Sequence, residues 1–226
     1  MAKQTKSLHS NLHDDVSASA NLISDMKSAD SESNEVSSEL NLTHHFLIAM
    51  PSMQDPVFGG TVIYLCEHSP RGAMGVVINR PTDMTVSGLF ERIELKLENI
   101  PDSHPMGKHL VLFGGPVQDD RGFVLHAPAG QYTSSLKVTD NIAFTTSRDV
   151  LEAVAAGDGP ERVLISVGYA GWGAGQLEKE ILANGWLTVA ADESILFDLP
   201  LDARFNAAIK LLGIDPLMLA AEAGHA

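Results

Sequence analysis

Thr61-Val62-Ile63-Tyr64-Leu65-Cys66-Glu67-His68, then Ser69-Pro70-Arg71-Gly72, then Ala73-Met74-Gly75-Val76-Val77-Ile78-Asn79, is the stretch on which the fold turns. Two apolar runs of strand length flank a Pro/Gly turn, and Arg80-Pro81 closes the second. That is the chemistry of a β-hairpin. Upstream, His45-Phe46-Leu47-Ile48-Ala49-Met50 is a short apolar run stopped by Pro51. Downstream, Leu110 to Phe113 and Gly122 to His126 predict a second hairpin across the Gly114-Gly115-Pro116 break.

Beyond residue 140 the period changes. Thr146 or Ser147 can cap a helix through Val150, Leu151 and Val154 that Gly157 ends. Arg162 to Tyr169 reads as a buried strand, and Gln176 to Ala183 as a helix stopped by Asn184-Gly185. Trp186 to Val189 and Ile195 to Phe197 read as short strands. Asp202 is expected to cap a helix with Phe205, Ala208, Ile209 and Leu212 on one face, and Pro216 to Ala223 to add a last turn or two. Hairpins first and alternating helices later predict one α+β domain, a mixed β-sheet with packed helices, over 41–226.

Residues 1–40 differ. Asp14, Asp15, Asp25, Asp30, Glu32, Glu35 and Glu39 outnumber Lys3, Lys6 and Lys27, and aromatics are absent. Such a segment is expected to be a disordered acidic tail. A transient helix around Ala20 to Met26 is the alternative. The whole chain has 226 residues, 44% hydrophobic, with a net charge of −14. A duplex-binding protein draws affinity from phosphate neutralisation, which this charge opposes. No apolar run approaches membrane-helix length. Met1 to Ser10 lacks the apolar centre of a signal peptide, so a cytoplasmic location is expected. The single cysteine, Cys66, excludes an internal disulfide and a cysteine zinc cage.

Strict strand alternation would put Val62, Tyr64, Cys66 and His68 in one row. An imidazole beside a thiol activates it, which makes Cys66 and His68 a candidate reactive pair. Simple packing of a buried Cys66 is the alternative. His126 is expected to be a hydrogen-bonded structural histidine. No HExxH or paired-cysteine motif is present, so no metal or cofactor is expected. Asp55 is expected to cap its Pro-flanked loop. Arg80, held out of helical geometry by Pro81, is expected at a sheet end, in a salt bridge or on an anion.

Gly168-Tyr169-Ala170-Gly171-Trp172-Gly173-Ala174-Gly175 carries neither a Walker pattern nor a dinucleotide fingerprint. Its glycines cannot cover Trp172 with their own side chains. The ring is therefore expected either in a groove or packed on other segments. The candidate groove comprises Arg80, Gly114, Gly115, His126, Tyr169, Trp172, Gly175 and Gln176, with at least two of these loops meeting in one cleft. A buried Trp172 would make the loop architecture instead.

Four blocks now stand in order. They are Leu47-Ile48-Ala49-Met50-Pro51-Ser52-Met53-Gln54-Asp55-Pro56-Val57-Phe58, then Val62 to His68 with Gly72 to Pro81. Gly114-Gly115-Pro116-Val117 with Arg121 to His126 is the third, and Gly168 to Glu178 with Glu180-Ile181 and Asn184 the fourth. Together they are similar to the signature blocks of the AlgH/YqgE family, over about 41–226. Phe205 stands where that family leads one to expect Trp, and the segment before Asn41 is longer than usual for it. The resemblance implies an α+β fold without a recognised DNA-binding motif. Members are uncharacterised or labelled transcriptional regulators through an association with alginate control. A resolvase-like nuclease is commonly encoded nearby, which implies a protein partner. The leading expectation is a non-enzymatic, cytoplasmic regulatory or protein-binding module acting indirectly on transcription. The alternatives are a thiol-based redox sensor or enzyme centred on Cys66, and a direct DNA-binding regulator.

Overall fold

In the computed structural model, which describes residues 41–95 and 105–215, the opening hairpin is present as β2 (Val62–Ser69) and β3 (Gly72–Val77). Gly72 makes the turn at φ 141°, and a Cβ there would lie 2.2 Å from the Trp172 carbonyl oxygen. β1 (His45–Ala49) lies against β2, antiparallel. Alternation then sorts the side chains. Phe46 and Ile48 enter one core with Tyr64 and Val76, while Leu47 and Ala49 enter another with Ile63 and Leu65.

β4 (Pro81–Thr85) leads into α1 (Val86–Arg92), whose N-terminus is capped by the Thr85 hydroxyl accepting from Gly88 N–H. The four-residue α2 (Pro105–Lys108) precedes β5 (Leu110–Phe113). β6 (Val117–Ala127), β7 (Ser135–Lys137) and β8 (Ala143–Thr145) follow. α3 (Arg148–Ala156) starts after Ser147, whose hydroxyl donates to Asp149 instead of capping the helix, and ends on Gly157 in the left-handed region, as its sequence predicts. β9 (Arg162–Gly173), α4 (Gln176–Leu182), β10 (Trp186–Ala190), α5 (Glu193–Phe197) and α6 (Leu201–Leu211) complete the described chain.

Among the described residues the sheet runs β10-β1-β2-β3-β9-β6-β8-β7, with β5 beside β9 and β4 beside β5. Helices cover both faces. α5 and α6 supply Ile195, Leu196, Ala208 and Ile209 to the core of Phe46 and Tyr64. α4 supplies Leu177 to the core of Trp172 and Trp186. α1 and α3 supply Val86, Phe90, Val150 and Val154 to a third core with Val124 and Ile165. The expected α+β class with a mixed sheet and packed helices is the observed one. No described helix is long and apolar enough to cross a membrane.

Four local expectations change. β5 and β6 do not form a hairpin. β9 runs between them, with Ser166 opposite Leu112 in parallel and opposite Phe123 in antiparallel register. The glycine stretch is strand rather than loop as far as Gly173, because Ala170 to Gly173 pair with Gly75 to Gly72. Ile195 to Phe197 lie in a helix, since the Asp192 carboxylate accepts from the Ser194 and Ile195 N–H groups and starts a helical turn. Pro200, not Asp202, precedes α6, which leaves Asp202 in the first turn where its charge suits the helix dipole. The expectations for 1–40 and for Pro216 to Ala223 fall outside the described residues.

Candidate functional site

Arg80 donates to the Pro56 carbonyl at 3.4 Å, to the Gly59 carbonyl at 3.1 Å and to the Val57 carbonyl. It braces a loop, and among the described residues it makes no ion pair, so the expected salt bridge is not formed. Asn79 helps, accepting from Val62 N–H and donating to the Gly60 carbonyl. Asp55 caps the same loop as expected, accepting from Val57 and Phe58 N–H at 2.8 Å each. The braced loop presents Phe58, stacked on Trp172 at 6.4 Å and edge-on to Trp186 at 5.7 Å. Both indole N–H groups donate to one oxygen of Glu180, each at 2.9 Å, and Gln176 donates to the other. Trp172 is only 7% exposed. The expected groove wall at Trp172 is therefore not formed, because Phe58, Trp186 and α4 close over the ring.

Gly114, Gly115 and Tyr169 do meet, but as packed backbone. A Cβ on Gly114 would lie 2.2 Å from the Gly168 carbonyl oxygen, and one on Gly115 2.2 Å from the Tyr169 carbonyl carbon. No cleft separates them. Gly175, at φ 69°, turns the chain into α4 with open space around it.

Cys66 and His68 do not share a face. The register slips between Leu65 and Glu67, a bulge that leaves Cys66 as the extra residue. Cys66 packs in the core of Tyr64 and Val76, where its thiol lies 3.8 Å from the Tyr64 carbonyl. Burial, then the neighbouring Glu67 carboxylate, pushes the thiol far above its ordinary value. His68 turns to the opposite side. Its Nδ1 accepts from Leu42 N–H at 3.0 Å, so its proton sits on Nε2, which faces Glu178 at 3.1 Å. Native Cys66 is therefore expected to resist a thiol reagent at neutral pH and to react at full rate in urea. Comparable labelling rates in the two conditions would overturn this.

His126 lies apart from every other candidate residue, on the α3 side of the sheet. Its Nδ1 faces the Pro128 carbonyl at 3.0 Å, so Nδ1 carries the proton and Nε2 accepts from the Thr145 hydroxyl at 2.8 Å. The Thr145 oxygen is in turn bonded to Ser135. Burial lowers the His126 pKa from 6.5, against the Pro128 hydrogen bond, and burial likewise lowers that of His44 beside Tyr64. Below 6.5 the unfolded chain therefore binds protons that the folded chain refuses. The stability these two neutral imidazoles contribute is complete above that value and is lost as the pH falls towards their folded pKa values. Urea midpoints are expected to be lower at about pH 5.5 than at about pH 7.5, and His126→Gln to flatten that difference. An unchanged slope in the variant would assign the effect elsewhere.

Among the described residues, no group of three or more His, Cys, Asp or Glu side chains could hold a metal ion. A concave surface exists where sequence reasoning assigned nothing, between Pro81 and Leu110. A groove of about 630 Å³ is lined by Thr82, Asp83, Met84 and Thr85 of β4 with Gly88, Glu91 and Arg92 of α1, and by Val111 and Val167. Its volume is in the range of about 300–1,000 Å³ typical of ligand sites. Val111 is buried and Val167 half-buried, whereas Asp83, Glu91 and Arg92 are exposed. The legible signal was Thr85, an N-cap residue three before Gly88. The helix behind it has only seven residues, shorter than the window of about 11–18 residues in which a helical period is read.

Comparison with known proteins places this geometry in a lineage. The sequence model of a family described as AlgH-like matches residues 46–217. A UPF0301 protein of Ralstonia nicotianae is 59% identical over 187 residues, 83% of this chain and 96% of that protein. A UPF0301 protein of Paraburkholderia phymatum is 61% identical over 188 residues, with the same coverage of 83% and 96%. The solution structure of the AlgH protein from Pseudomonas aeruginosa matches with a TM-score of 0.67 and 51% identity, over 85% of this chain and all (100%) of that one. A crystal structure of a Corynebacterium diphtheriae protein shares the fold, with a TM-score of 0.60 at 20% identity, over 85% of this chain and 94% of that one.

Proposed function

The chain belongs to the AlgH-like family, and on that premise we propose that it is a non-enzymatic, cytoplasmic protein-binding module that regulates through a protein partner rather than through DNA. The groove between β4 and α1 carries this reading. Its half-buried apolar side chains are Met84 and Val167, over the fully buried Val111 and inside a polar rim, the layout of a surface that docks a short segment of another protein. The net charge of −14 supports a protein over a duplex as the target. Cys66, sealed in the core with its thiol pKa raised, favours this reading over the thiol-based one.

The experiment is site-specific photo-crosslinking in living cells. A benzophenone side chain at Met84, in the groove, is compared with one at Lys137, which is exposed on β7. The expected result is a discrete protein adduct from position 84 that position 137 does not give. Adducts that do not distinguish the two positions would remove the groove as the binding surface. A sequence-preferring gel shift with duplex DNA at physiological salt would restore the direct-regulator reading.

A further inference from the structure

The rim charges narrow the partner's chemistry. Several acidic side chains are engaged in the fold's braces, Glu178 with His68, Glu193 with Arg162, Glu152 with Arg148 and Glu180 with two indoles, while others such as Glu94, Asp119, Asp120 and Glu161 have no ion pair among the described residues. Asp83 and Glu91 make no ion pair among the described residues, and both line the groove. Arg92 also lines it, so the rim carries two carboxylates against one guanidinium. Unpaired carboxylates at the rim of an apolar floor favour an apolar side chain flanked by Lys or Arg and repel an acidic one. The overall charge of −14 steers the same kind of partner during encounter.

We infer that the groove between β4 and α1 takes a basic, amphipathic segment of a partner protein, its apolar side chain on Met84 and Val167 and its cations on Asp83 and Glu91. This rests on the protein-binding reading of the same groove.

The test uses the full-length chain and two synthetic peptides of equal length, one alternating Leu and Lys and the other alternating Leu and Glu, with spermine as a cation lacking an apolar anchor. Binding is read from backbone amide shifts. The expected result is that the Leu/Lys peptide shifts Val111 and Val167, that the Leu/Glu peptide and spermine do not, and that raised salt weakens the binding. Asp83→Asn with Glu91→Gln is expected to weaken it about tenfold or more. Both residues are exposed, so this double variant should melt like the parent. Equal binding of the two peptides, shifts away from the groove, or indifference to the double variant would each overturn the inference. If the position-84 adduct forms equally in the double variant, the partner chemistry is wrong and the groove stands. If position 84 gives no specific adduct, the groove reading fails and this inference with it.

Discussion

Gly115→Ala is expected to yield a chain that does not reach the native fold. Gly115 sits at φ 152°, and an added Cβ would lie 2.2 Å from the Tyr169 carbonyl carbon, 2.3 Å from its oxygen and 2.4 Å from the Ala170 nitrogen. All three are backbone atoms of β9, so no rotamer change can relieve the overlap. β9 is also paired to β3, β5 and β6 and cannot retreat from one neighbour without losing others. The cost should exceed about 4–5 kcal/mol, the range reserved for outright steric or cavity failure. Gly175→Ala is the control. It too has positive φ, 69°, but nothing lies within 4 Å of its added Cβ. Only the left-handed backbone is strained there, at about 1–2 kcal/mol. Urea unfolding of the soluble fraction separates the two. A Gly115→Ala protein as stable as Gly175→Ala would show that the crossing is looser than described.

Glu180→Ala should have the next largest effect. It removes the acceptor of two indole N–H groups, those of Trp172 and Trp186, both buried. Each orphaned donor costs about 1–3 kcal/mol, so a loss of about 3–5 kcal/mol is expected. Glu180→Gln keeps a carbonyl oxygen and should lose about 1–2 kcal/mol. The chain has two tryptophans, and both are in this brace. Their fluorescence therefore reports on it directly, and a red shift in the folded Glu180→Ala protein is the expected signature. Wild-type stability in that variant would mean that the indoles find other partners.

The sequence was legible where local chemistry decides the structure. The β2–β3 turn, the Ser147 start and Gly157 stop of α3, and the Asp55 cap follow from two to four residues each. It was illegible where distant segments decide. Nothing local shows that β9 separates β5 from β6, because the apolar runs at Leu110 and Gly122 are equally good partners for each other. The bulge at Cys66 reversed the facing of His68, and a bulge leaves no mark in an apolar run. Asp192 was readable as a cap and outweighed the β-branched Ile195. The candidate residues Arg80, Trp172 and Gln176 are gathered into one assembly, but it is a brace. Motif chemistry alone does not distinguish a side chain that holds a loop from one that holds a ligand. The groove was missed because its walls come from a short helix and an irregular strand, joined in space to Val111 and Val167.

The place of β9 also bears on how the chain is made. Strands β1 to β8 all leave the ribosome before Arg162, yet the strand that joins the β3 side to the β6 side is Arg162–Gly173. Until it emerges, β1–β3, β4–β5 and β6–β8 are separate partial sheets, each with an open edge. Closing them requires contacts at large sequence separation, which slows folding and prolongs the life of those edges. The last described strand, β10, then seals the outer side of β1. A ribosome stalled before β9 would thus carry a nascent chain prone to sticking to its neighbours, and the demand for chaperone protection should end abruptly once residues 162–190 are clear of the tunnel.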